Sequence, residues 1–194
     1  MIILASTSRT RQTILSNAGL TFTSRSPQVD ERQLVAEHPE WSPAETSLNL
    51  AKAKAEDVSA RFPDTCVVGA DQVLALGNRV YSKPYDSDDC RRQLGELRGH
   101  THQLISSVVC ARHGACVWQV TETASLTMRT FSDTFLEGYL KTIGTDCTSS
   151  VGGYKIEGIG LQLFDSIAGD YFTILGLPLL PLFQYLRTSG EIRS

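Results

Sequence analysis

The 194-residue sequence contains no apolar run near the roughly 20 residues that a membrane-crossing helix needs, and its start lacks a charged-then-apolar leader. A cytoplasmic location without membrane contact is expected on those grounds. Cysteine is scarce and unpatterned: the five residues, Cys66, Cys90, Cys110, Cys116 and Cys147, are odd in number and never spaced as C-x-x-C. That argues against a disulfide framework and a zinc site, and predicts buried or idle thiols. The motifs G-x-x-x-x-G-K-[ST], G-x-S-x-G and H-E-x-x-H are all missing, which excludes a P-loop, a nucleophile elbow and a zincin helix. The net charge of -3, with no basic tail and no clusters of aromatic and basic residues, speaks against nucleic-acid binding. There is no internal repeat and no low-complexity tract.

What is present is an ordinary globular composition, 41% hydrophobic and 20% charged, in a chain long enough for one domain or one domain with two lobes. The opening stretch combines an apolar run, Ile2 to Ala5, with three hydroxyl residues, Ser6, Thr7 and Ser8, and then a helix-like segment from Arg11 to Ala18 stopped by Asn17 and Gly19. A buried strand feeding a hydroxyl-rich turn that opens a helix makes an anion clamp from backbone N–H groups, O–H donors and the positive helix end. Arg9 and Arg11 add formal charge there. The same residues also suit an ordinary N-cap with solvated arginines.

Further along, Val29–Arg32 reads as an acidic turn leading into a linker. Ser42-Pro43-Ala44-Glu45 carries a helix start signal, and that helix should run to about Arg61 with Leu48, Ala51, Ala55 and Val58 buried. Cys66–Ala70 reads as a buried strand that delivers Asp71 and Gln72 at its carboxyl end, where ligands gather in open α/β sheets. A hairpin across Gly77-Asn78 leads to Lys83 and Pro84. Next come a helix over about 87–97, a long hairpin across His113-Gly114, a helix from Ser132-Asp133 and a final helix ending near Arg187. The glycine-dense segment Ser150–Gly160 suits a binding loop. His100 and His102 read as a surface pair lacking a third ligand. The intermixed strands and helices place the chain in the α/β class with a mixed sheet.

Hydroxyls and arginines at 6–11, a carboxylate at Asp71 and a lysine at Lys83 all fall at element ends, a combination that fits a polyphosphate. Arg and Lys neutralise phosphate oxygens, while an acidic residue holds a divalent metal or orients a water. Each member taken singly has a plainer reading. Asp71 suits a turn, Asp30-Glu31 a solvated dipeptide, and Lys52 and Lys54 a solvent-facing helix surface.

Several ordered segments resemble the Maf family of nucleoside triphosphate pyrophosphatases. They are Leu4–Ser8 with Arg11 and Ile14-Leu15, Val29-Asp30-Glu31, Ala51–Ala55, Gly69–Gln72, Lys83-Pro84, Gly99–His102, Gly158–Gly160 and Leu175–Pro178. The resemblance implies a three-layer α/β fold with a mixed, mostly parallel sheet and a cleft between two lobes, usually as a homodimer. It also implies cleavage of a nucleoside triphosphate substrate to the monophosphate and pyrophosphate with a divalent metal, Mg²⁺ or Mn²⁺. Under it, Asp71, Lys83 and Lys54 are catalytic, Ser6, Ser8, Arg9, Arg11, Gln72 and Glu157 bind substrate, and Glu31 and Asp71 hold the metal. The family motif usually has proline where this chain has Arg9, so Arg9 is a substitute phosphate contact.

Gln72 after Asp71, with Glu157, is more similar to the branch acting on 7-methyl-GTP than to the dTTP/UTP branch. N7-methylated guanine is cationic and offers donors at N1 and its amine, which a carboxylate at Glu157 would accept. The alternatives are a dTTP/UTP-specific pyrophosphatase and a non-catalytic nucleotide sensor that regulates cell division.

Overall fold

Four residues near the amino terminus set the layering. Ile2 and Leu4 belong to one apolar cluster, while Ile3 and Ala5 belong to another, because successive side chains of a strand leave on opposite faces. The computed structural model, which describes residues 1–193, begins with β1 (Ile2–Ala5), α1 (Arg9–Asn17), β2 (Phe22–Ser24), α2 (Glu31–Glu37) and α3 (Pro43–Arg61). It continues through β3 (Cys66–Leu76), β4 (Arg79–Tyr81), α4 (Ser87–Leu97), β5 (Thr101–Arg112), β6 (Ala115–Met128) and α5 (Asp133–Ile143). Three short 3-10 turns then lead to β7 (Phe164–Ala168), α6 (Tyr171–Ile174) and α7 (Leu179–Thr188).

The strands form one mixed sheet in the order β2-β1-β3-β5-β6-β7, with β4 also paired to β3. Its parallel part is β2-β1-β3, with Ile2 opposite Phe22 and Cys66, whereas β4 and β7 pair antiparallel to β3 and β6. The chain divides into two compact units: Met1–Gln72 with Ile105–Thr123 and Asp170 onward, and Val73–Leu104 with Ala124–Gly169.

The first unit is three-layered. On one sheet face, Ile2, Leu4, Val68 and Val108 pack with Ile14 and Leu15 of α1 and with Leu182 and Leu186 of α7. On the other, Ile3 and Val67 meet Val58 of α3, and Ala51 and Ala55 of the same helix meet Val109 and Ala111. The start of α3 is fixed by the capping box seen in the sequence. Ser42 Oγ accepts the Glu45 N–H, and the Glu45 carboxylate accepts the Ser42 N–H at 2.8 Å, a device that contributes about 1 kcal/mol.

In the second unit the β3–β4 hairpin closes across Gly77-Asn78 with Leu76 opposite Arg79. α4 packs beside the turn at 151–153, where Gly153 lies against Cys90: a Cβ there would fall 2.2 Å from the Cys90 sulfur, and φ is +68°. Packing therefore explains part of the glycine density at 150–160. All five cysteines are free, and four of them are buried.

Three local readings change. Val29–Arg32 is not a plain turn: Asp30 caps α2, its Oδ1 accepting the Gln33 N–H at 2.9 Å, so Glu31 is the first helical residue. The strand expected to stop at Ala70 continues to Leu76, because pairing with β4 outweighs the polar step, and Asp71 and Gln72 lie inside β3. His100 and His102 are not a surface pair. β5 begins at Thr101, leaving His100 exposed in the preceding turn, while His102 is fully buried with Nε2 2.6 Å from the Tyr154 hydroxyl.

Candidate active site

The site in the first unit follows from how closely α3 lies on β3. Gly69 has no side chain, and a Cβ there would sit 2.5 Å from the Ala51 carbonyl oxygen and 2.8 Å from the Ala55 nitrogen. The helix offers only Ala51 and Ala55 at this contact, so the two backbones meet. Ser47 and Lys54 share that helix face at helical spacing. Ser47 Oγ consequently donates to the Asp71 carbonyl at 3.1 Å, and Lys54 Nζ donates to Asp71 Oδ1 at 2.7 Å.

Lys54 does not have a solvent-facing ammonium. It is buried, as is Asp71, and its Nζ also lies 2.8 Å from Glu31 Oε2 at the start of α2. One ammonium thus bridges two carboxylates. Removing one partner of so buried a pair costs about 3–5 kcal/mol, since the other charge is left without water or counterion. Burial pushes the Asp71 pKa above the ordinary aspartate range, and Glu31 adds to that, against the opposing pull of Lys54 and Arg11.

Arg11 completes the charge pattern. Its Nε donates to the Gly176 carbonyl at 2.8 Å, bringing α1 to the turn after α6. Burial lowers the guanidinium pKa, while the fields of Asp71 and Glu31 raise it. Ser8 caps α1 by accepting the Arg11 N–H, and Ser6 Oγ accepts the Ser8 N–H at 3.1 Å. Both serines are local acceptors, as the capping reading expects, and a hydroxyl that accepts still has its own hydrogen to donate. Arg9 is exposed in the first turn of α1.

The structure therefore brings Glu31, Lys54 and Asp71 into direct contact, with Arg11 in their field. Gln72 lies in the same unit, but its amide nitrogen is engaged with Ser106 Oγ and with the Thr173 and Ile174 carbonyls at 2.9–3.0 Å. Lys83 and Glu157 belong to the second unit, and both are exposed there. Ser47, Ser106, Thr173 and Gly176 were not anticipated. Ser47 was readable in principle, seven residues before Lys54 on one helix face, whereas Gly176 is 165 residues from Arg11 with no local signal.

Among the described residues no group of three or more His, Cys, Asp and Glu side chains gathers around a metal position. Glu31 and Asp71 each meet Lys54 through one oxygen, Oε2 and Oδ1, so the second oxygen of each carboxylate is the donor that a cation would take. Mg²⁺ is commonly held by one or two carboxylates, with waters and substrate phosphates as the remaining ligands, and this donor pair fits that chemistry.

A profile of the Maf-like protein family matches residues 1–189. A protein of Rhizobium meliloti (strain 1021) named 7-methyl-GTP pyrophosphatase is 47% identical, over 99% of this chain and 98% of its own length. One of the same name from Rhizobium etli is 48% identical, over 98% and 97% respectively. A protein of Rhodopseudomonas palustris (strain BisB18) named nucleoside triphosphate pyrophosphatase is 47% identical, over 96% of this chain and 92% of its own.

Proposed function

The chain belongs to the family of Maf-like proteins, and from that premise we propose that it hydrolyses a nucleoside triphosphate to the monophosphate and pyrophosphate. The observation that carries the reading is the Lys54 ammonium held at 2.7 Å from Asp71 and 2.8 Å from Glu31, with Arg11 in their field. Anionic and cationic groups are interleaved, as a site requires that must bind a polyphosphate and also move a proton.

Asp71 is the proton acceptor. Burial places its carboxyl above the ordinary aspartate range, nearer the working pH, where a general base is most effective. It takes a proton from a water whose oxygen bonds to the α-phosphorus as the bond to the α–β bridging oxygen breaks, and pyrophosphate leaves with the electron pair. Arg11, with the hydroxyls of Ser6 and Ser8 and the exposed Arg9, pairs with phosphate oxygens. Lys54 orients Asp71 and Glu31, and Lys83 supplies further positive charge. A divalent cation, Mg²⁺ or Mn²⁺, held by Asp71 and Glu31 would spread charge over the phosphates.

The preferred base is 7-methylguanine. The names of the Rhizobium relatives support this, as does the carboxylate at Glu157, whose chemistry suits a cationic base with N–H donors. A homodimeric, cytoplasmic enzyme acting in nucleotide-pool cleansing is part of the same reading. The fact that no helix among the described residues is long and apolar enough to cross a membrane is consistent with it.

The test is to incubate purified protein with 7-methyl-GTP, GTP, dTTP and UTP, with Mg²⁺, Mn²⁺ or a chelator, and to identify the released product. Metal-dependent pyrophosphate release, fastest from 7-methyl-GTP, is expected. Orthophosphate as product rejects the α–β cleavage, binding without turnover makes the protein a nucleotide sensor, and preference for dTTP or UTP rejects the base assignment. Sedimentation of the same preparation checks the dimer.

A further inference from the structure

Gln72 follows Asp71 on β3, so its side chain leaves on the opposite sheet face from the carboxylate that meets Lys54. Its amide nitrogen lies 3.0 Å from Ser106 Oγ, 3.0 Å from the Thr173 carbonyl and 2.9 Å from the Ile174 carbonyl. The carbonyl acceptors fix which end of the amide is nitrogen, because the flipped form would set oxygen against oxygen. Ser106, fully buried, donates its own hydroxyl hydrogen to the Thr173 carbonyl at 2.8 Å. Thr173 is held from its other side as well: its N–H reaches Asp170 Oδ1 at 2.9 Å and its hydroxyl reaches Glu122 at 2.7 Å.

This brace ends at the guanidinium. Three residues beyond Thr173, the carbonyl of Gly176 takes the Arg11 Nε–H at 2.8 Å. Gly176 has φ +89°, and a Cβ there would come 3.4 Å from Gln72 Oε1 and 3.5 Å from Arg11 Nη2, so the amide and the guanidinium converge on the same glycine. We infer that Gln72 and Ser106 are positioning residues for Arg11, pinning the Thr173–Gly176 turn so that its last carbonyl aims the guanidinium.

The bond to Gly176 uses Nε, and a guanidinium held there presents its Nη atoms in one orientation to a phosphate. Gln72 then serves the triphosphate through Arg11. This inference rests on the proposed function only in taking Arg11 as a triphosphate contact. It assigns Gln72 a role different from the direct substrate contact expected from the sequence.

Gln72→Met keeps the side-chain length and removes the donors, and Ser106→Ala removes the buried hydroxyl. Three measurements apply to each: hydrogen exchange of the Arg11 Nε–H by ¹H–¹⁵N NMR, identified by its loss in Arg11→Lys; calorimetric affinity for inorganic tripolyphosphate, which has no base; and kcat and KM for the four nucleotides. Both variants should speed Arg11 Nε–H exchange by about tenfold and weaken tripolyphosphate by about tenfold, the scale of one charged hydrogen bond. KM should rise in parallel for all four nucleotides, with kcat within about threefold of the parent.

An unchanged Nε–H, or unchanged tripolyphosphate binding with altered ratios among the bases, overturns the inference and returns Gln72 to the base. Should Gln72→Met fail to fold, Ser106→Ala decides. If the parent protein releases no pyrophosphate from any nucleotide, the proposed function falls, and the NMR measurement still decides whether the brace aims Arg11.

Discussion

Asp71 is the residue on which opposing forces meet, with burial the strongest. Burial and Glu31 favour its neutral form, while Lys54 and Arg11 favour the carboxylate. Two substitutions separate its chemical role from its surroundings. Asp71→Asn keeps the shape and removes the base, so kcat should fall by about two orders of magnitude or more, the usual scale for loss of a general base; circular dichroism checks that the variant is folded. Lys54→Met removes the cation that contributes most to lowering the Asp71 pKa and leaves Asp71 near the like charge of Glu31. The pKa of Asp71 then moves further upward. Because the base acts deprotonated, the acidic limb of the kcat/KM profile should shift to higher pH at fixed metal concentration. An unmoved limb would mean that another group controls it.

The contact of α3 with β3 is the element that makes the site possible. Gly69→Ala would drive a methyl group into the Ala51 carbonyl and the Ala55 backbone, atoms that cannot swing aside. The helix must lift, at about 1–3 kcal/mol for an overpacked interior, and Lys54 loses its reach to Asp71. Gly95→Ala is the control: it lies within α4 with nothing inside 4 Å of the added Cβ, and replacing an interior helix glycine there should stabilise by about 0.5–1 kcal/mol. Opposite signs in thermal denaturation, with activity lost only in the Gly69 variant, are expected. Much at this scale was legible in the sequence because it is local. Ser42 and Glu45 marked the start of α3, Gly77-Asn78 marked a hairpin, and Ser132 marked α5, each through bonds spanning a few residues. Asp30 carries an equally local capping signal, but an acidic dipeptide suits a solvated turn as well, and Asp71 stays in a strand because β4 pairs farther along.

At the scale of the whole chain, the residue types of the site were readable and their partnerships were not. Arg11 meets Gly176 across 165 positions, and Lys54 meets Asp71 across 17, contacts that exist only once the sheet has assembled. Composition could assign Lys54 to either face of its helix; the strand packed against that helix decides. His102 shows the same dependence in the second unit. Its sequence context suggests a surface residue, yet it is fully buried between Tyr154 and Phe164, with Nδ1 lacking any partner among the described residues and its pKa lowered by burial to about 4. In the unfolded chain the same ring titrates near pH ~6.5. Between those values the unfolded state binds a proton that the folded state does not, so stability must fall as pH drops from about 6.5 toward 4, by up to about 3 kcal/mol. The raised pKa of Asp71 acts with the opposite sign, since there the folded state is the better proton binder. His102→Gln removes the titration and keeps a polar group facing the Tyr154 hydroxyl. Thermal unfolding at intervals from pH 7 to 4.5 should show the melting temperature of the parent falling more steeply than that of the variant. Parallel curves would assign the acid sensitivity to other groups and make the buried ring an inert part of the core.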